Sequence, residues 1–432
     1  MRDSIGMTKV AIIGTGYVGL TTGACLAHLG HHVMCGDIDE EKIARLSVGE
    51  IPFVEDKLGP LVAEGIETGR LGFVVGAKAA VTECEIAFLC VPTPQKPDGS
   101  ADLSFIEAAT RDIIDALPEG AILVNKSTVP VGSTRVVEQV LDRVDVPVVS
   151  NPEFLREGSA VEDFLKPDRI VIGAQDRVAA KAVSALYDPV AAPVLITDPA
   201  SAETIKYAAN AFLATKLSFA NAIAAVCEGV GADVSDVMSG LGYDRRIGPE
   251  FLNPGPGWGG SCLPKDTRAL IRIAEETGYD FRFLEGVIEV NEEQFARVAE
   301  KVRRAAGGQL ESRTVAVWGL TFKAGTDDLR DSPALAVVGL LSAAGAEVRA
   351  YDPTVGTGGP NPAGSVGIFG DPLSPCDGAH VLVVLTDWDE FREIEPVEVA
   401  ERMAKRAVVD ARNSLDRQVW QRAGFDFQSI GS

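Results

Sequence analysis

An α/β architecture, with two doubly wound parallel-sheet domains joined by a long central helix and a helical middle domain, is what this chain predicts. Strand-like runs alternate with helical stretches from the start, the rhythm of successive βαβ units. The same rhythm returns from Thr314 onward. Between the two regions, residues 201–230 are rich in Ala and contain no Pro. A chain of 432 residues is too long for one ordinary core, so several domains are expected. The boundaries fall at 1–198, 199–305 and 306–432.

Residues 9–13 read as the first strand, 17–29 as a helix and 31–36 as the second strand. Further strands are expected at 85–91, 121–126, 147–150 and 169–172. From Ser201 the pattern changes. Glu203, Lys206 and Asn210 follow helical spacing, and about 30 residues at ~1.5 Å each make a rod of roughly 45 Å. Residues 248–264 are rich in Gly and Pro, a loop by composition. Helical pattern resumes over 265–304. In the last region, 314–320, 347–351, 380–386 and 407–410 read as strands, and 354–365 as a Gly/Pro-rich surface loop.

Composition narrows the function. Apolar residues make up 46% and the formal charge is −22, which repels nucleic acid and anionic membranes and suits a soluble cytoplasmic protein. Seven scattered cysteines without a C-x-x-C pair indicate neither a zinc site nor a disulfide framework, and point to a reducing compartment. Residues 1–8 contain no apolar signal core. The apolar stretch 208–230 is interrupted by Asn210, Lys216, Asn221 and Glu228, which argues against a membrane span.

The first strand runs into Gly14-Thr15-Gly16-Tyr17-Val18-Gly19 and then a helix. In that setting Gly14 permits a tight turn, Gly16 lets backbone approach a pyrophosphate, and Gly19 lets helix and strand pack closely. The helix N-terminus adds N–H donors and a positive dipole end. Asp37 ends the second strand, where a carboxylate binds ribose hydroxyls and repels a 2′-phosphate. The first domain is therefore Rossmann-like and binds NAD. The corresponding turn of the last domain, Gly319-Leu320-Thr321-Phe322-Lys323, lacks the glycine triplet. Lys323, Arg330 and Arg412 stand there as phosphate candidates, each also readable as a solvated surface cation.

Chemistry concentrates in Gly259-Gly260-Ser261-Cys262-Leu263-Pro264-Lys265-Asp266. With Pro264 in the first turn of a helix, Cys262 and Asp266 share a face near a terminus that favours a thiolate. A thiolate beside a nicotinamide site suggests two oxidations: addition to an aldehyde, then loss of a second hydride to a thioester. Lys206 and Asn210, also four apart, offer a positive charge and an N–H donor for an oxyanion. A snorkelling surface lysine is the competing reading of Lys206. Glu153 or Glu157 can polarise water, or serve merely as an acid at a helix start. Ser127-Thr128 places a hydroxyl near the nicotinamide. None of His28, His31, His32 and His380 joins the cluster, against a His-based or zinc dehydrogenase.

These motifs together resemble the UDP-glucose/GDP-mannose dehydrogenase family. The resemblance rests on GTGYVGL from Gly14, VPTP from Val91, STVPVGST from Ser127 and NPEFLREG from Asn151. It extends to the Lys206/Asn210 pair, GGSCLPKD from Gly259, GLTFK from Gly319, DLRDSPAL from Asp328 and DARN from Asp410. It implies that Gly14, Gly16, Tyr17, Val18, Gly19, Asp37, Thr93, Thr128, Glu157 and Arg330 contact NAD. It implies Cys262 as nucleophile, Lys206 and Asn210 as oxyanion donors, and Asp266 as proton carrier for thioester hydrolysis, a task shared with Glu153 and Thr128. Glu153, Phe154, Leu155, Lys206, Asn210, Phe251, Gly257, Lys323 and Arg412 would line the nucleotide-sugar site. Arg246 would reach the substrate of a partner subunit, so a homodimer or higher homo-oligomer is implied.

Leu263 stands where the commonest family motif has Phe, and Asn253 where some relatives have a basic residue. RIGPEFL around Arg246 and TDWDEF from Thr386 favour UDP-glucose, oxidised to UDP-glucuronate with two NAD⁺ and one water. The same chemistry on GDP-mannose or a UDP-N-acetyl-hexosamine is the nearest alternative. A two-electron hydroxyacid dehydrogenase and a non-catalytic NAD-binding protein are the others.

Overall fold

A computed structural model describes residues 7–96, 99–357, 364 and 366–432. The signal-segment reading of residues 1–6 and most of the expected loop at 354–365 lie outside them. The chain forms two compact units: Met1–Ala209 with Arg268–Ile273, and Asn210–Thr267 with Ala274–Ser432.

The first unit is built on strands β1 (Lys9–Ile13), β2 (His32–Asp37), β3 (Leu71–Val75), β4 (Ile86–Leu89), β5 (Ile122–Asn125), β6 (Val148–Ser150), β7 (Ile170–Ala174) and β8 (Val194–Thr197). Their spatial order is β3-β2-β1-β4-β5-β6-β7-β8. The order reverses between β1 and β4, which opens a crevice beyond their carboxyl ends, where doubly wound sheets bind ligands. Alternation along the strands supplies both faces: Ile12, Phe88 and Val124 enter one core, Ala11, Leu89 and Leu123 the other. One pairing departs from an all-parallel sheet, since β7 runs antiparallel to β6. The connection between them carries the short helix Ala160–Leu165.

The second unit holds β9 (Thr314–Trp318), β10 (Glu347–Tyr351), β11 (Gly367–Ile368), β12 (Val381–Val384), β13 (Ala407–Asp410) and β14 (Asp426–Ser429). All pair in parallel, in the order β11-β10-β9-β12-β13-β14, with the reversal between β9 and β12.

The helix Pro199–Val230 has 32 residues and contributes to both units. By length and composition it would suffice to cross a membrane, yet 44% of its most apolar window is buried within the protein. The helical pattern expected over 265–304 resolves into two helices, Leu263–Glu276 and Arg282–Ala305. Gly278 separates them at φ +82°, while the Tyr279 N–H returns to the Ala274 carbonyl at 2.9 Å. A left-handed glycine just past a helix end closes the helix in this way.

Candidate active site

In the first unit the glycine turn follows β1. Gly14 has φ +94°, and a Cβ there would lie 2.7 Å from the Cys90 carbonyl oxygen at the end of β4. A Cβ on Gly19 would sit 1.9 Å from the Gly14 carbonyl oxygen, so only glycine allows this helix so close to the turn. At Gly16, by contrast, an added Cβ meets nothing within 4 Å. The helix Tyr17–His28 has no side-chain cap and no acid in its first turn. Uncapped N–H groups behind an open glycine fit a pyrophosphate.

Asp37 is fastened beside this turn. Its Oδ2 accepts from the Thr15 N–H at 2.9 Å, the Thr15 hydroxyl at 2.6 Å and Lys42 Nζ at 2.8 Å. Burial pushes its pKa up, but Lys42 and Thr15 outweigh that and hold it at about 2. The carboxylate is thus ionised, as ribose binding requires. The Tyr17 hydroxyl lies 2.6 Å from Glu55 Oε2 and 2.9 Å from the Arg156 carbonyl. Burial, then Glu55, raise its pKa, so the phenol stays protonated. Val18 packs on the core. Thr93 donates its hydroxyl to the Thr128 carbonyl at 2.8 Å, which joins the loops after β4 and β5. Glu157 is close enough to add to the charge acting on Tyr17.

After β6, Glu153 is buried and takes Lys206 Nζ at 2.9 Å and the Leu155 N–H at 2.6 Å. Burial opposes its ionisation, but the Lys206 charge and hydrogen bonds prevail and its pKa lies below the ordinary value. The Lys206 side chain is 4% exposed, which removes the snorkelling reading. Glu153 precedes the next helix by several residues, so it is not a helix-start acid either. The Phe154 ring lies under the Arg169 guanidinium, 3.7 Å from its centroid, and 5.4 Å from Lys206 Nζ.

In the second unit Cys262 immediately precedes the helix Leu263–Glu276, with Pro264 in its first turn. It is half-buried, unlike the other six cysteines, which are buried. Its carbonyl accepts the Asp266 N–H at 2.9 Å, and Ser261 Oγ lies 3.5 Å from Sγ. The Asp266 carboxylate is fully buried between Asn210 Nδ2 at 2.6 Å and Lys265 Nζ at 2.5 Å. Asn210 spends one amide N–H on Asp266; the amide carries two.

Two glycines explain the turn before Cys262. A Cβ on Gly259 would lie 1.9 Å from the Asp331 carbonyl oxygen, and one on Gly260, at φ +84°, would lie 2.8 Å from the Phe322 ring. Residues 255–258 are held by buried amides that sequence reasoning missed as site residues. Asn221 accepts the Gly255 N–H at 2.8 Å, Asn291 exchanges bonds of 2.8 and 2.9 Å with the Trp258 backbone, and Gln294 reaches the Gly255 carbonyl at 2.8 Å. Asn221 was visible only as a polar break in an apolar helix.

Arg412 donates to the carbonyls of Leu385 at 2.7 Å and Phe322 at 2.8 Å. It is therefore no solvated surface cation. Lys323 Nζ stands 5.9 Å from the Phe322 ring centroid. Arg330 lies in the second unit and pairs with Asp328 at 2.6 Å. Arg246 is 88% exposed beside Asp244. Phe251 adopts φ +60°, and Gly257, at φ +130°, leaves a Cβ only 2.4 Å from the Phe295 ring. Asp352, at the end of β10, copies the role of Asp37. Its Oδ2 accepts from the N–H groups of Leu320 at 2.7 Å and Thr321 at 3.0 Å, and from Trp388 Nε1 at 3.2 Å. The turn itself was legible in the sequence; Asp352 was not, because an acid after a strand carries no signal of its own until its partners are seen.

Three family models cover the chain: the NAD binding domain of the UDP-glucose/GDP-mannose dehydrogenase family over residues 8–191, its central domain over 200–293 and its UDP binding domain over 316–417. The UDP-glucose 6-dehydrogenase TuaD of Bacillus subtilis is 44% identical, over 98% of this chain and 93% of that protein. The UDP-glucose 6-dehydrogenase of Rhizobium meliloti is also 44% identical, over 98% and 99%. Among solved structures, a UDP-glucose dehydrogenase from Pyrobaculum islandicum aligns with TM-score 0.91 at 36% identity, covering 100% of this chain and 99% of that one. A UDP-D-ManNAc dehydrogenase from Pyrococcus horikoshii aligns with TM-score 0.87 at 28% identity, over 98% and 99%.

Proposed function

The chain belongs to the UDP-glucose/GDP-mannose dehydrogenase family, as an NAD-dependent oxidoreductase, and on that premise we propose that it oxidises UDP-glucose to UDP-glucuronate in two successive steps. The observation that carries this reading is the half-buried Cys262 at a helix start, one turn before a buried Asp266 braced by Asn210 and Lys265. A two-electron alcohol dehydrogenase has no use for such a thiol. The relatives named above supply the choice of sugar nucleotide.

NAD supplies the hydride acceptor, one molecule for each oxidation. In the first step C6 of the sugar loses a hydride and its hydroxyl a proton, which leaves an aldehyde. The Cys262 sulfur then bonds to C6, and the carbonyl oxygen becomes the oxyanion that Lys206 and Asn210 are suited to hold. Protonation completes the thiohemiacetal. Loss of a second hydride and of the hydroxyl proton yields a thioester on Cys262. Water adds to it, the C–S bond breaks, and the thiol is restored. Asp266 directs the proton of that water, with Glu153 and Thr128 assisting. Phe154, Leu155, Phe251, Gly257, Lys323 and Arg412 bind the nucleotide sugar, and Glu157 and Arg330 assist NAD.

The working form is a homodimer or higher homo-oligomer in the cytoplasm. Phe212, Phe219 and Val226 recur every seven residues along the helix Pro199–Val230, and all are exposed. The exposed Arg246 suits contact with a partner subunit's substrate.

The test is a panel of UDP-glucose, GDP-mannose and UDP-N-acetyl-hexosamines, with NADH and acid both quantified. Two NADH per acid formed from UDP-glucose is expected. Turnover of GDP-mannose or an acetylated sugar nucleotide without UDP-glucose would reject the substrate, and one NADH per carbonyl product would reject the thioester route.

A further inference from the structure

Three chain segments carry the candidate groups of the first unit. Segment 126–134 follows β5 and holds Thr128. Segment 151–155 follows β6 and holds Glu153. The first turns of the helix Pro199–Val230 hold Lys206. Each pair of segments is joined by a buried charged side chain, and two of those side chains have no part in the chemistry above. Lys206 joins the helix to Glu153 at 2.9 Å. Lys126, 4% exposed, joins the first segment to the second, with Nζ at 3.2 Å from Asn151 Oδ1, 3.5 Å from the Asn151 carbonyl and 3.4 Å from the Tyr187 hydroxyl. Glu203, 2% exposed, closes the triangle. From the helix it accepts the Gly132 N–H at 2.6 Å, the Thr134 N–H at 2.9 Å and the Thr134 hydroxyl at 2.6 Å.

Burying a lysine and a glutamate is expensive, and apolar residues of similar volume often stabilise a fold as well or better. What charges with directed hydrogen bonds add is register: each accepts only one placement of its partner backbone. A chain tied in a closed loop loses that register when any one tie is cut. We propose that Lys126 and Glu203 are positioning residues that lock the segments bearing Thr128, Glu153 and Lys206 into one rigid arrangement. The inference rests on the proposed function, because it assigns those three residues to the oxidation.

The experiment uses the full-length enzyme with the sugar nucleotide that the wild type turns over. Lys126→Met and Glu203→Gln are made singly and together. Each single variant is expected to lose about tenfold or more in kcat, with KM for both substrates within roughly threefold, because misplacing reacting groups costs rate rather than ground-state binding. Lys126→Met should melt no lower than the wild type. The double variant should be no slower than the slower single, because the loop is already open. Activity within about twofold of wild type in folded single variants would overturn the proposal. So would multiplicative losses in the double variant, or a kcat loss that tracks a fall in Tm. If Glu203→Gln does not fold, Glu203→Asp, which keeps the charge and shortens its reach, is read by the same split. Amide exchange at Gly132 and Thr134 reads the tie without turnover. Exchange about tenfold faster in the Glu203 variant supports it and unchanged exchange rejects it, whatever the fate of the substrate assignment.

Discussion

Asp266 and Cys262 share one helix start, and the bond from the Asp266 N–H to the Cys262 carbonyl fixes their spacing. Cys262→Ser keeps the shape but replaces the sulfur with a far weaker nucleophile. Acid formation should fall by about a thousandfold or more, with nucleotide-sugar binding nearly unchanged. Unimpaired acid production measured by product chromatography would remove the thioester from the mechanism. Asp37 makes a second prediction at this scale. Its folded pKa of about 2 lies below that of an unfolded aspartate. A depressed carboxyl stabilises the fold above the unfolded value, and that stability is lost as pH falls from about 4 to 2. The loss is about 1–2 kcal/mol. Lys42→Met should flatten this acid limb in urea unfolding, because it removes the cation 2.8 Å from Asp37. An unchanged limb would show that the Thr15 and Asp39 donors suffice to hold the carboxylate.

At the scale of the element, the glycine turn separates folding from binding within one motif. Gly19→Ala drives a Cβ into the Gly14 carbonyl, and Gly259→Ala does the same at the Asp331 carbonyl before Cys262. Each should cost about 1–3 kcal/mol or more, read as lowered Tm. Gly16→Ala should leave Tm unchanged. Its φ of −71° and ψ of −171° suit alanine, and nothing lies within 4 Å. The methyl group instead takes space that a pyrophosphate needs, so KM for NAD should rise about tenfold. Equal Tm losses at Gly16 and Gly19 would refute this division. The glycines, Cys262 and Asp266 were legible because their spacing reports backbone and helix geometry directly. Lys42, Glu203 and Lys126 were not, because a charge in a polar or helical run looks solvated until tertiary contacts bury it. Strands β3, β8, β11 and β14 escaped for similar reasons. Gly72 interrupts β3, β8 is half-exposed at the sheet edge, β11 has only two residues, and β14 alternates polar and apolar residues weakly.

At the scale of the whole molecule, the repeated αβ rhythm and two glycine-led turns were sufficient to read two doubly wound sheets, since each strand buried on both faces is a continuous apolar run. Assembly is harder to read, because it depends on what the fold leaves uncovered. The helix Pro199–Val230 buries Ala211, Ala214, Ala220, Ala224 and Cys227 on one side and exposes Phe212, Phe219, Val226 and Val230 on the other. Phe212 is 64% exposed and Phe219 51%. Lys216, between them, donates to the Ile247 carbonyl at 3.2 Å, and Tyr243 and Ile247 are exposed as well. Exposed apolar side chains repeated along one helix face fit the proposed subunit contact. The formal charge of −22 opposes self-association, so the proposed contact needs apolar surface such as this stripe. Phe212→Glu with Phe219→Glu should convert the proposed oligomer to monomer in sedimentation or light scattering, with Tm and NAD binding retained. If Arg246 serves a partner subunit's substrate as proposed, activity should fall together with the mass. Retention of the wild-type mass by the double variant would place the subunit contact on another face.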